Sequence, residues 1–160
     1  EIGSGLVGSE MCIRDSNMIA EGPNAIVHDG TIYLIYSGSL VGIDYTTGLV
    51  TAPAGQDADL TDPNVWTKLD YPLQKSGVYN EQWQLGTGHG MWSNDEDGNL
   101  IYVFHNAEYE NGRYGGRDAQ VRRVHWSKEG MPILDMQAAE ELNPDYADIT
   151  MKIVVSGNKG

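Results

Sequence analysis

The sequence is short of several things. Among 160 residues there is one cysteine, Cys12, so no internal disulfide can form. There is one phenylalanine against nine tyrosines and four tryptophans. Rings with a polar edge suit wet surfaces that meet sugars, although strands favour the same residues. Basic residues are scarce: ten Lys and Arg stand against 23 Asp and Glu, a formal net charge of -13. That balance argues against nucleic acid and against anionic membranes as partners. It names no ligand, because acidic surfaces mostly serve solubility. No apolar run approaches the length of a membrane span. No basic start followed by an apolar stretch reads as a signal peptide. His28, His89, His105 and His125 lack the spacing of a zinc site. Neither a Ser-His-Asp order nor a cysteine nucleophile is available.

What is present is the composition of a packed domain, 40% hydrophobic and 21% charged, at the length of one domain or part of one. The stretch Gly8-Ser9-Glu10-Met11-Cys12-Ile13-Arg14-Asp15-Ser16 resembles a translated adaptor tail of the kind found at the ends of reading frames assembled from shotgun sequence. Residues 1–16 are therefore expected to be a non-native or disordered tail. Residues 17–144 are read as the domain, and 145–160 as the start of a following β domain or a tail.

Within 17–144 the pattern is strand and turn. Asn24 to Val27 leads to Asp29-Gly30, the signal of a type I′ hairpin. The outgoing strand, Ile32 to Tyr36, is apolar or aromatic at every position and so is expected to be covered on both faces. A loop from Gly38 to Tyr45, a third strand from Thr46 to Thr51, a long surface loop from Pro53 to Pro63 and a short fourth strand near Trp66 to Lys68 follow. After a connection from Tyr71 to Leu85 the pattern restarts. Thr87 to Trp92 is a strand, Asp95 to Asn99 a turn, and Leu100 to His105 a second strongly apolar strand. Asn106 to Gly116 reads as a polar rim loop, Ala119 to Trp126 as a third strand and Met131 to Leu134 as a fourth. Two successive four-stranded antiparallel units, at about 22–69 and 87–134, are the mark of propeller blades. Two blades cannot close a propeller, so further blades are expected upstream. Gln137 to Leu142 suggests a helical turn, and Ile149 to Val155 a strand.

Three places could carry chemistry. Glu21 stands ahead of the first hairpin in Glu21-Gly22-Pro23. Pro23 fixes its own φ and biases Gly22 toward extended geometry, so Glu21 is presented by a stiff edge; a solvated glutamate at a strand entry fits the same residues. Gly86-Thr87-Gly88-His89-Gly90 has no following helix and no Lys-Ser/Thr, which argues against phosphate cradling. Close backbone approach with His89 aimed at a shared centre, or a buried hydrogen-bonded histidine, both remain. Arg117 can give a bidentate bond to a carboxylate or paired hydroxyls, or form a surface ion pair. Trp83, Trp92, Tyr79 and Tyr114 sit where a sugar ring could stack; core packing suits Trp92, Trp66 and Trp126 better.

Glu21-Gly22-Pro23 with Ile32 to Ser37, Gly48-Leu49-Val50, Asp62-Pro63 with Trp66-Thr67-Lys68, Gly86 to Gly90, Arg117, and Trp126 with Gly130-Met131-Pro132 together resemble glycoside hydrolase family 43, the five-bladed β-propeller arabinofuranosidases, xylosidases and arabinanases. The resemblance covers about residues 20–144 and implies an all-β chain holding the last two blades of such a propeller. It implies an inverting hydrolase of arabinose- or xylose-containing polysaccharide, secreted or periplasmic in its full-length form. An Asp base and an Asp that tunes the acid would lie in upstream blades of the same chain. Glu21 would be the general acid, Arg117 and Trp83 would meet sugar, and His89 would support a calcium ion or ordered water at the propeller centre. Many members have Gly-Pro-Gly-His-Asn where this chain has Thr87 and Gly90. The 160-residue piece alone is expected to be inactive. A non-catalytic propeller binding carbohydrate or protein is the alternative. A phosphorylase comes third, since only Arg113, Arg117, Arg122 and Arg123 could make a phosphate pocket.

Overall fold

The computed structural model describes residues 19–111, 113–146 and 148–154. Cys12 with the rest of 1–16, the side chain of Tyr114 and residues 155–160 lie outside the described residues. Strands β1 (Ile19–His28), β2 (Thr31–Ser39), β3 (Thr46–Pro53) and β4 (Thr67–Lys68) form one antiparallel sheet in that order. Strands β5 (Gly77–Tyr79), β6 (Gln82–Asn94), β7 (Leu100–Glu110) and β8 (Arg113–Arg123) form a second four-stranded sheet. A ribbon of β9 (His125–Trp126) and β10 (Pro132–Ile133) completes the described strands. The chain is all-β, built from antiparallel four-stranded blades, as the sequence leads one to expect. No helix among the described residues is long and apolar enough to cross a membrane.

The turn chemistry explains the hairpins. Asp29 and Gly30 have φ of 45° and 75°, the paired left-handed geometry that matches strand twist in a two-residue turn. Asp62 caps the single turn Pro63–Val65 by accepting from the Asn64 amide, which delivers the chain into β4. The apolar strands then bury as their composition demands. Ile35 and Leu49 from the first sheet meet Trp92, Tyr102 and Phe104 from the second, together with Val124 just after β8 and Leu134 just after β10. Ile35, Leu49 and Ile101 are at most 1% exposed, and each such side chain stabilises the fold by about 1.5–3 kcal/mol.

The seam between the sheets also has polar bonds. The indole of Trp92 donates to the Tyr33 carbonyl at 3.3 Å and its amide to Asn24 Oδ1 at 2.8 Å. Thr47 and Tyr102 share a buried hydroxyl contact of 2.7 Å, and Tyr102 donates on to Gln74. Buried polar groups that are paired this way fix one relative placement of two surfaces, since a slip would orphan several at once.

Several boundaries differ from the sequence reading. Gly38 belongs to the end of β2. The connection from Tyr71 to Leu85 contains β5 and the start of β6, so the second sheet begins one strand early. Asn106 to Gly116 is mostly a continued hairpin of β7 and β8, paired from Ile101↔Arg123 to Glu110↔Arg113. The last strand, β10, pairs with β9 in a separate ribbon and does not extend the second sheet. Gln137 to Leu142 supplies a short 3-10 turn, Ala138–Glu140, and Pro144–Tyr146 makes another. Residues 149–154 form no strand: among the described residues their β-branched pattern meets no sheet edge with which to pair.

Candidate functional site

The site is built where β1 of the first blade faces β6 of the second. In β1 the register runs Glu21↔Ser37 and then Asn24↔Ile35, so two residues, Gly22 and Pro23, oppose one on β2. This is a β-bulge, and Gly22 takes φ of +61° in it. The expectation that Pro23 would hold Gly22 extended is thus corrected. Absorbing an extra residue needs a turn of the backbone, and glycine supplies a positive φ at low cost. The bulge is what aims Glu21. The glycine also clears space, because a Cβ at Gly22 would sit 3.3 Å from His89 Nε2.

On the facing strand, β6 carries two register shifts, between Leu85 and Gly88 and between Gly88 and Met91. His89 lies within the second with φ of +49°, an uncommon state for a side chain with a Cβ. Its amide donates to Ser37 Oγ at 2.7 Å. The glycines around it serve close approach: a Cβ at Gly88 would lie 2.5 Å from the Tyr45 ring, and one at Gly90 would lie 2.2 Å from the Tyr102 ring. No phosphate-cradling helix follows, and β6 runs on to Asn94.

These two irregular strands bring Glu21 and His89 together. His89 Nδ1 lies 3.7 Å from Glu21 Oε1, with the side chains 49% and 40% exposed. Between them stands Tyr45. Its hydroxyl donates to Glu21 Oε1 at 2.6 Å and lies 3.2 Å from His89 Nδ1. Burial first, and then the bond to Glu21, push the phenol up to about 12, so it stays protonated as a donor. His105 stacks on the Tyr45 ring with centroids 5.5 Å apart. Burial, and next the charges of Arg117 and His89, hold His105 below the ordinary histidine range.

Arg117 lies within β8 opposite Ala107, four residues in from the strand's first residue, Arg113. It borders a cleft of about 310 Å³ together with His89, Met91, His105 and Asp118. The structure thus brings three of the four sequence candidates to one region, Glu21 and His89 in direct contact and Arg117 across the cleft wall. Trp83 stands apart. It sits near the start of β6, opposite Val78, and is 69% exposed. Tyr79 packs under the Arg122 guanidinium at 4.0 Å, and Trp92 is in the core. Sequence reasoning missed Tyr45, which it left as the end of a loop. The one available signal is a tyrosine directly before a strand of small and β-branched residues.

Among the described residues no group of three or more His, Cys, Asp or Glu side chains could hold a metal ion. Calcium takes six to eight oxygens, and here one imidazole and one carboxylate meet a phenol. These residues do not by themselves fit a calcium site. A phosphate pocket fares no better. Arg122 is tied to Gln84 and to the Leu134 carbonyl. Arg123 pairs with Asp95 at 3.1 Å and donates to the carbonyls of Tyr146 and Asp148. Both guanidinium groups are structural.

The model of the glycosyl hydrolases family 43 matches residues 6–132, beginning inside the segment expected to be non-native. The chain belongs to family 43. Alpha-L-arabinofuranosidase 43 of Humicola insolens is 36% identical over 120 residues, 71% of this chain and 24% of that protein. An extracellular exo-alpha-(1->5)-L-arabinofuranosidase of Streptomyces avermitilis is 31% identical over 134 residues, 79% of this chain and 27% of that protein. The crystal structure of an alpha-L-arabinofuranosidase from Lactobacillus brevis superposes with a TM-score of 0.62 at 30% identity, over 71% of this chain and 36% of that one. The chain therefore spans about a quarter of the length of these curated relatives. Solved members of family 43 are five-bladed β-propellers, and the two sheets described above are blades of that kind.

Proposed function

We propose that this chain supplies the general acid of a longer glycoside hydrolase that cleaves arabinose- or xylose-containing polysaccharide with inversion, and that Glu21 is that acid. The observation that carries the reading is the contact of Glu21 with Tyr45 and His89 beside the cleft bordered by Arg117. A carboxyl group placed by a bulge, anchored on one oxygen and still 40% exposed, can reach a leaving-group oxygen. Arg117 is suited to hold sugar hydroxyls through paired N–H donors. Inverting hydrolysis needs a protonated acid and an ionised base roughly 6.5–9.5 Å apart, with water between them. The base and the second carboxylate belong to upstream blades. The relatives named as arabinofuranosidases, two of them extracellular, support the substrate class and a secreted parent protein.

The test is E21Q in the complete glycosidase, assayed on aryl arabinofuranosides and xylosides of graded leaving-group basicity. Loss of a general acid lowers kcat/KM about 10²–10⁴-fold on poorly leaving phenols and far less on dinitrophenol, which leaves without protonation. An equal loss on all leaving groups would remove Glu21 from that role. NMR of the first product anomer tests inversion.

A further inference from the structure

We infer that Tyr45 is a positioning residue that decides which oxygen of Glu21 carries the proton delivered to the substrate. The inference rests on the general-acid reading of Glu21. The Tyr45 hydroxyl has one proton and three polar neighbours: Glu21 Oε1 at 2.6 Å, His89 Nδ1 at 3.2 Å and the Ser37 hydroxyl. The contact with Glu21 takes the proton, since a phenol donates its single O–H once. The Tyr45 oxygen then accepts from the Ser37 hydroxyl and from His89, which assigns the imidazole proton to Nδ1 and leaves Nε2 over Gly22. The result is a directed relay, from His89 N–H to Tyr45 O–H to Glu21 Oε1.

A neutral carboxyl group has one O–H and one carbonyl oxygen. With Oε1 occupied as an acceptor, the transferable proton belongs on Oε2. Without Tyr45 either oxygen can carry it, and some of the acid form is turned the wrong way. The phenol is well fixed for this work. Tyr45 is 1% exposed, its ring lies over Gly88, and His105 stacks on it. The His89 backbone that completes the relay is tied to Ser37. In the transfer itself the Oε2–H bond breaks as the leaving oxygen gains the proton. Glu21 is left as a carboxylate, still bonded to Tyr45 through Oε1.

Y45F in the complete glycosidase tests this. Phenylalanine keeps the ring over Gly88, and a melting curve checks the fold. On phenyl glycosides kcat is expected to fall roughly 10–100-fold with KM unchanged, within the range that general acid catalysis supplies. On dinitrophenyl glycosides the fall is about threefold or less, because no proton is needed. E21Q is run beside it. Should E21Q show the leaving-group dependence and Y45F lose kcat equally on both substrates, or lose nothing, the Tyr45 inference is overturned while the acid assignment stands. If E21Q itself lacks that dependence, the acid assignment falls first. Were Y45F not to melt cooperatively, 3-fluorotyrosine at 45 replaces it. That residue keeps the ring and is a stronger donor; an unchanged ratio of phenyl to dinitrophenyl kcat would then count against the relay.

Discussion

The two blades share a plan and use it differently at their site-facing strands. Strand β1 carries one bulge, filled by Gly22-Pro23, and otherwise pairs regularly with β2. Strand β6 carries two, with left-handed φ at both Gly86 and His89. In each case the residue of interest sits at the irregularity; the hairpin behind β1 is regular, and the one behind β6 is regular up to a shift at Glu108/Tyr109. Bulges re-aim side chains without unmaking a sheet. The difference lies in what the glycines do. On β1 the glycine makes room for a neighbour's side chain tip, the His89 imidazole; on β6 Gly88 and Gly90 lie against tyrosine rings that belong to the packing between and within the blades. One strand is shaped mainly for the site, the other for site and core together.

That contrast predicts unequal costs. G90A drives a Cβ to 2.2 Å from Tyr102 Cε2, and Tyr102 is fully buried and bonded to Thr47 and Gln74. The ring cannot swing away without orphaning those bonds. Overpacking of this kind costs about 3 kcal/mol, measurable as a lowered urea midpoint. G22A meets only the exposed imidazole at 3.3 Å but must hold φ of +61°, a conformation that costs an L-residue about 1–2 kcal/mol. Its stability loss should be the smaller of the two and its effect on kcat the larger, because it moves His89 and Glu21 directly. Equal losses in both readouts would erase the distinction between the strands.

The same contrast explains what could be read in advance. Ile32 to Tyr36 and Leu100 to His105 announce themselves because sheet burial demands unbroken apolar runs, and Asp29-Gly30 because few residues tolerate its φ values. Asn106 to Gly116 reads as a loop because the segment is polar and glycine-rich, so that backbone pairing of β7 with β8 replaces hydrophobic burial as the organising force. The three residues of β5 are too few to show any period. Ile149 to Val154 has the right residues for a strand and no partner among the described residues, a condition that its own sequence cannot set. Glu21, His89 and Arg117 stand out in the sequence through ordered motifs that resemble family 43, and the structure brings them to one region. Tyr45 was not, since its value comes from a loop end and a bulge meeting through space, at 24 positions' separation from Glu21. Trp83 shows the converse: a suitable ring type placed away from the cluster.

The smallest expected effect compares the two hairpin turns, which share an Asp-Gly signal. Asp29 is exposed, with His28 at 3.5 Å as its ion-pair neighbour. Asp95 instead accepts from the amides of Asp97 and Asn99, from the Asn99 side chain and from Arg123. Asn99 first, with Arg123 adding to it, holds the Asp95 carboxyl below its ordinary value of 3.8. A carboxylate whose folded value is depressed contributes stability above its unfolded value and loses it as pH falls through the folded one. Acidification from about pH 5 to below 3.8 should therefore lower the urea midpoint of the parent, and D95N should lower it at neutral pH while flattening that slope. D29N, a surface change, should leave both within about 0.5 kcal/mol of the parent. An unaltered acid slope in D95N would mean that Asp95 is no more an anchor than Asp29, and that the two turns differ in partners alone and not in what they contribute.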